Sequence, residues 1–316
     1  MSRNHACQLL LIVGTAAAAA IGMAVRGLTL PPADLLQPLL VTLLLGSGAA
    51  YYHRRRETQF VLCLTSLLHV TLYSAAFCLL MYTLATTGRP LVDDRLARWD
   101  AACGVHLPSI VQWASRHSSV RVVLEWAYNS LLWQTPLVII VLGFRGDRRR
   151  LEGFVRQFLF GTLICAAVFA LFPAEGPFAY YGYETSATQA RYLEHLHGLR
   201  DGSRTVVSWN GAEGLITFPS FHTAWAIFLA WSLRGWGWLG ALSTVVNLLV
   251  IVSTLTTGWH YFVDVLGGVA MAAAAIALSA LGERSGDVLP EYAAAFSGAA
   301  ARAERRELRW QPFLRG

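Results

Sequence analysis

The chain has 316 residues, 55% of them hydrophobic and only 14% charged, where a soluble domain usually carries ~25% charged residues. The deficit lies in long uncharged runs, each near the ~20 residues that cross a bilayer as a helix, which excludes a soluble globular protein and argues for one all-α polytopic membrane protein. The net charge of +6 comes from arginine alone, set in short loops between apolar runs. With no nucleic-acid motif beside it, that placement points to the lipid bilayer and not to nucleic acid as the partner.

In chain order, eight spans are predicted, at about 7–25, 35–52, 59–85, 120–144, 154–174, 216–233, 236–257 and 260–282. The first has Arg3 and an apolar core, as a signal peptide does. Its core is long and runs to Arg26 without a polar cleavage region, so it reads as a span. The arginine-rich connections are His53-Arg54-Arg55-Arg56 after the second span and Arg145 with Arg148-Arg149-Arg150 after the fourth. Arg234 follows the sixth, and Arg302, Arg305, Arg306 and Arg309 lie in the tail. All fall on one side if every span crosses once, and the positive-inside rule makes that side, with both termini, cytoplasmic. Residues 1–58 are expected to form two additional N-terminal spans, 59–282 the membrane domain that carries the chemistry, and 283–316 a basic cytoplasmic tail.

Two outside segments are long. Residues 86–119 mix Asp93, Asp94, Arg98, Trp99, Asp100 and Trp113 with apolar residues, which predicts an amphipathic helix on the interface. Residues 175–215 are polar, and connections of that length are often functional. Cys7, Cys63, Cys78 and Cys165 lie in apolar runs and Cys103 in a loop. They have no zinc or disulfide spacing and read as small apolar residues.

Ionisable residues at membrane depth are costly and tend to be functional. One group is Thr217-Phe218-Pro219-Ser220-Phe221-His222. Pro219 is expected in the first turn of a helix, where Ser220 and the unpaired N–H groups make an anion site within reach of His222. The plainer alternative is a Ser-Pro helix start with an interfacial histidine. A second group is His260-Tyr261-Phe262-Val263-Asp264, followed by Gly267-Gly268. The spacing of four is expected to put His260 and Asp264 on one helical face, with the carboxylate fixing one ring nitrogen and leaving the other as nucleophile or base. A purely structural His–Asp bond is the alternative, weakened by the cost of a carboxylate in an apolar run. The glycines are expected to admit a close neighbour. A third group, Phe172-Pro173-Ala174-Glu175-Gly176-Pro177, reads as a helix stop.

Pro219-Ser220-Phe221-His222 followed by His260 and Asp264 resembles the type 2 phosphatidic acid phosphatase superfamily, over the last six spans. Phe-Pro-Ser-x-His with His-Tyr-x-x-Asp is most similar to the branch containing inositol phosphorylceramide synthases, and His-Tyr-x-x-Asp-Val also resembles the sphingomyelin synthases. The chain departs from the phosphatase branch at several positions. Thr254 stands where that branch has an arginine, Phe172-Pro173 where an Arg-Pro is expected, and Phe221 where it has glycine. There is no lysine.

The resemblance implies a membrane lipid phosphate as substrate and no metal or other cofactor. It implies that His260 attacks phosphorus and becomes a phosphohistidine, Asp264 orients it, and His222 protonates the leaving oxygen. Ser220 and the nearby N–H groups would stabilise the phosphate oxygens. Arg191, Arg200 and Arg204 are the candidates to replace the missing cations. Water as acceptor gives a phosphatase, facing the periplasm or exterior of a bacterial inner membrane. An alcohol acceptor gives a head-group phosphotransferase. A non-catalytic lipid-binding or transport protein is a third reading, which has no need of an ordered acid and nucleophile.

Overall fold

The structure, a computed structural model, describes residues 3–282. The expected basic tail, 283–316, lies outside the described residues. The helices are α1 (Arg3–Arg26), α2 (Leu36–Arg54), α3 (Thr58–Ala85), α4 (Asp93–Ala102), α5 (Leu107–Arg116), α6 (Ser118–Phe144) and α7 (Arg148–Leu171). They continue as α8 (Pro177–Tyr180), α9 (Ala187–Asp201), α10 (Phe221–Ser232), α11 (Gly237–Thr256) and α12 (Phe262–Gly282). Among the described residues, 7 helices are long and apolar enough to cross a membrane, and the protein is an all-α integral membrane protein.

The inner layer is built where α3, α6, α7, α10 and α11 meet, around Tyr73, Leu131, Phe154, Phe158 and Phe228. The two N-terminal helices pack against α3. On α2, Leu39, Leu40, Leu43 and Leu44 are exposed. In water such a stripe would be a liability; against lipid tails it is the expected outer surface.

The crossing expected over 216–233 is made differently from the others. Its helix, α10, has only 12 residues, and residues 215–220 before it are not helical. Pro219 disfavours the helical conformation in the residue before it, and Ile216 and Thr217 are β-branched. Pro219 therefore precedes the helix instead of opening it, and Ser220 is the N-cap. A helix of 12 residues at ~1.5 Å per residue falls short of the ~30 Å hydrocarbon thickness, so the non-helical residues before it have to supply the rest of any crossing.

Non-helical backbone at that depth has to be satisfied by protein, and three of its groups meet protein partners as follows. The Leu215 N–H meets Met81 Sδ at 3.1 Å, the Thr217 carbonyl accepts from the His260 ring at 2.8 Å, and the Ser220 N–H donates to the Asp264 carbonyl at 3.0 Å. At the far end of α10, Arg150 bonds the carbonyls of Ser232 and Arg234.

The segment between α3 and α6 folds as two short helices, α4 and α5, where one amphipathic helix was expected. The long polar segment, 175–215, is partly ordered by α9, which opens with a capping box formed by Ser186 and Gln189. It buries Tyr192, His195, Leu196 and Leu199. This segment therefore forms a packed roof and not a free loop.

Helix α12 approaches the extended segment closely, as Gly267 and Gly268 suggested. A Cβ on Gly268 would stand 2.5 Å from the Ser220 carbonyl oxygen and 2.8 Å from Thr223 Cβ. Gly268→Ala should therefore lower stability by about 1–3 kcal/mol through overpacking and push the Ser220 turn away from Asp264. A Cβ on Gly14 meets nothing within 4 Å, so Gly14→Ala serves as control. Thermal unfolding in detergent reads both, and a Gly268→Ala protein melting with the wild type would show that the two segments are not in tight contact.

Candidate active site

His222 is the second residue of α10, and the stretch 215–220 delivers it to the interior of the bundle. Its ring stacks on Tyr128 of α6, with centroids 4.5 Å apart. His260 belongs to the turn between α11 and α12 and is only 1% exposed. The nitrogens His260 Nε2 and His222 Nδ1 are 3.4 Å apart. The two histidines, 38 residues apart in sequence, therefore share one polar contact.

The tautomers follow from the partners. His260 Nδ1 lies 2.8 Å from the Thr217 carbonyl. A carbonyl only accepts, so Nδ1 carries the proton and Nε2 presents its lone pair to His222. His222 Nδ1 then carries the proton shared across the pair. Asp264 Oδ2 is 3.4 Å from His260 Nδ1, farther than the Thr217 oxygen. The carboxylate is thus a neighbour of the ring, and the Thr217 carbonyl is its closer acceptor.

The expected helical face does not account for the His–Asp contact, because α12 begins at Phe262 and His260 lies before it. Asp264 instead reaches back to accept the Tyr261 N–H at 2.8 Å. That is the acidic half of a capping box, satisfying one of the donors a helix start leaves open. The next two donors, the N–H groups of Phe262 and Val263, go to the Asp100 carboxylate, each at 2.9 Å.

Asp100 was not singled out by its sequence context, and neither was Asp93. Both belong to α4, and both are buried. Asp93 accepts the N–H groups of Glu175 and Gly176 at 2.9 Å each and the Tyr261 hydroxyl at 3.1 Å. Burial raises both carboxyl pKa values above the ordinary one, with the backbone donors pulling the other way. The bonds thus offset only part of the desolvation. The spacing of seven, two turns of one helix, was the available signal.

The two histidines line one cavity of about 1070 Å³. Its walls include Thr217, Tyr128 and Trp259, together with Gln112, Asn129 and Gln189. Ser220 does not line it. Ser220 is fully buried, and its Oγ accepts from the Thr223 N–H and hydroxyl as the cap of α10. The three expected arginines do not line it either. Arg191 pairs with Glu213 at 2.8 Å, Arg200 donates to the Arg89 carbonyl at 2.7 Å, and Arg204 pairs with Glu194 at 3.3 Å. Of these, only Arg191 has a partner, Glu213, in the cavity wall. Among the described residues the arginine that lines the cavity is Arg121 of α6, which pairs with Glu125 at 3.3 Å.

A sequence model of the PAP2 superfamily matches residues 94–278, more than half of the chain. The chain belongs to the PAP2 superfamily. This superfamily generally comprises phosphatases and phosphotransferases acting on lipid phosphates. No curated protein and no solved structure matches the chain. The PAP2 match runs from α4 into α12 and so takes in Asp100, Arg121, both histidines and Asp264.

The Asp100 contacts give a direct test of how the His260 turn is held. An amide at position 100 presents one acceptor oxygen in place of two, leaving Phe262 or Val263 with an unpaired N–H at a cost of about 1–3 kcal/mol. Asp100→Asn should lower the melting temperature and reduce kcat on a lipid phosphate with little change in KM. Wild-type kcat in that variant would show that α4 does not position the histidine turn.

Proposed function

We propose that this PAP2 protein is a membrane lipid-phosphate phosphatase working through a phosphohistidine at His260. The observation that carries the reading is the His260–His222 contact at the cavity wall, with His260 Nδ1 committed to Thr217 and Nε2 left as a lone pair.

The step follows from the tautomers. A phosphate group entering the cavity takes the place of the histidine–histidine contact. His260 Nε2 attacks phosphorus, an N–P bond forms and the P–O bond to the lipid breaks. His222 enters the step as the imidazolium that a neighbouring phosphate dianion favours; its Nδ1 proton passes to the departing oxygen and leaves a neutral ring, a general-acid contribution of typically ~10²–10⁴-fold. In the second step His222 takes a proton from water, the new O–P bond forms and the N–P bond breaks. Two displacements replace one harder one. Asp264 supports the positive phosphoimidazole from the far side of the ring.

A phosphate dianion needs cations. Arg121, lining the cavity, is the residue placed to supply one, and Arg191 acts at one remove through Glu213. The arginine-bearing end, with Arg148, Arg150 and Arg234, faces the cytoplasm in this reading, and the histidine cavity faces the exterior or periplasm.

A second reading, transfer to an alcohol such as inositol or another head group, is favoured by one observation. The cavity is larger than one phosphate requires, and amides and hydroxyls line it, Gln112, Asn129, Gln189 and Thr257 among them. The motif similarity to the inositol phosphorylceramide synthases leans the same way.

Purified protein given a labelled lipid phosphate in mixed micelles distinguishes these outcomes. Release of inorganic phosphate marks hydrolysis, and a labelled phosphodiester formed on adding inositol marks transfer. His260→Ala should abolish both. Arg121→Ala should raise KM by about tenfold or more, the loss of one charge-assisted contact. Full turnover by His260→Ala would remove the proposed mechanism, and an unchanged KM in Arg121→Ala would remove that residue from phosphate binding.

A further inference from the structure

The end of the bundle away from the histidine pair holds a second cavity, of about 410 Å³. It lies where α1, the α2–α3 turn, the first half of α3 and the start of α7 meet. Its basic lining is His5, His53, His69, Arg56 and Arg148, and among the described lining residues Glu152 is the single carboxylate. Glu152 is held by Arg148 at 2.6 Å. The inner wall is buried and polar, because His69 and Gln8 are each 4% exposed and meet through Nδ1 and Oε1 at 2.8 Å. The His5 ring lies 4.6 Å from that of His69.

One backbone feature separates this cluster from an ordinary basic loop. Helix α2 closes with the Arg56 N–H on the His53 carbonyl at 3.1 Å and the Glu57 N–H on the Tyr52 carbonyl at 3.0 Å. That pair of bonds wraps the chain around a residue in the left-handed conformation, a position usually given to glycine because a Cβ is unfavourable there. Here the residue is Arg56, with φ 61°, the only non-glycine with positive φ among the described residues. The turn keeps an arginine where glycine would be more comfortable, and that arginine lines the cavity. Non-glycine residues held in such conformations concentrate at functional sites.

We propose that this cavity is a second binding site, for a phosphate-type anion, separate from the reaction site. Guanidinium and imidazole donors suit phosphate oxygens. The same chemistry is offered by free inorganic phosphate and by the head group of an anionic lipid in the adjacent leaflet. The buried inner wall of His69 and Gln8 supplies a floor, and the Arg56 guanidinium and the His53 ring stand at the rim.

The test places a reporter inside the cavity. Thr65 lines it, and its hydroxyl bonds within α3, to the Val61 and Leu62 carbonyls. Thr65→Cys, in the full chain with the native cysteines replaced, is labelled by a neutral thiol reagent in phosphatidylcholine vesicles. One arm adds inorganic phosphate; the other replaces a third of the lipid with phosphatidylglycerol. With ligand at about ten times its Kd, labelling should slow by about tenfold in at least one arm, because protection follows the fraction of sites occupied. Protection by phosphate assigns the free anion; protection only by phosphatidylglycerol assigns the head group. Arg56→Gly, which relaxes the turn, should abolish protection while turnover at the histidine pair stays within about twofold and melting does not fall. His53→Ala gives a second variant with the same expected loss. Unchanged labelling in both arms, or protection that survives Arg56→Gly and His53→Ala, would overturn the proposal and leave the cluster as loop charge alone.

Discussion

A carboxylate with no exposed surface, set among membrane helices, has to be surrounded by donors or it destabilises the fold. Asp264 is that group, and the way it is satisfied ties the site together. Its side chain takes the N–H of Tyr261 and its carbonyl takes the N–H of Ser220. One residue thus joins the turn that carries His260 to the turn that carries His222. Among the described residues its second oxygen, Oδ1, has no hydrogen-bond partner, so its demand is only partly met. A positive charge on the neighbouring imidazole ring would meet the remainder. Gly268 allows the approach that these bonds require.

The two histidines and the aspartate were legible because their types and order carry chemistry wherever they occur in an apolar chain. Their local geometry was less legible. A spacing of four suggested one helical face for His260 and Asp264, yet the helix starts two residues after His260, and the contact arises from a reach-back cap. Hydrophobicity alone made 216–233 look like its neighbours. Pro219 after β-branched residues was the signal for an extended entry, and it was outweighed by the apolar run. The supports from α4 were hidden for another reason. Asp93 and Asp100 sit in a polar stretch with Asp94, Arg95 and Arg98, and only the fold decides which of these charges turn inward.

Cations show the same division. Arg191, Arg200 and Arg204 precede the Pro-Ser-x-His motif in sequence, but the roof formed by α9 and its flanks occupies them in contacts with Glu213, the Arg89 carbonyl and Glu194. Arg121 precedes the motif by about a hundred residues and reaches the cavity because α6 runs alongside α10 and α11. Nearness in sequence measures little in a bundle whose neighbours are set by helix order. The molecule is polar at both ends of the bundle, with an ordered histidine pair at one and a basic cavity around Arg56 at the other.

The claim on which the rest stands is that His260 carries the phosphate and His222 supplies the proton. Rapid quench of purified protein with a labelled substrate bearing a good leaving group tests it directly. With such a substrate the first displacement needs no acid, while the second still needs His222 to activate water. An acid-labile phosphoenzyme should therefore accumulate in His222→Ala, map to residue 260, and be absent from His260→Ala. Label mapped to His222, or trapped equally in both variants, would contradict the assignment.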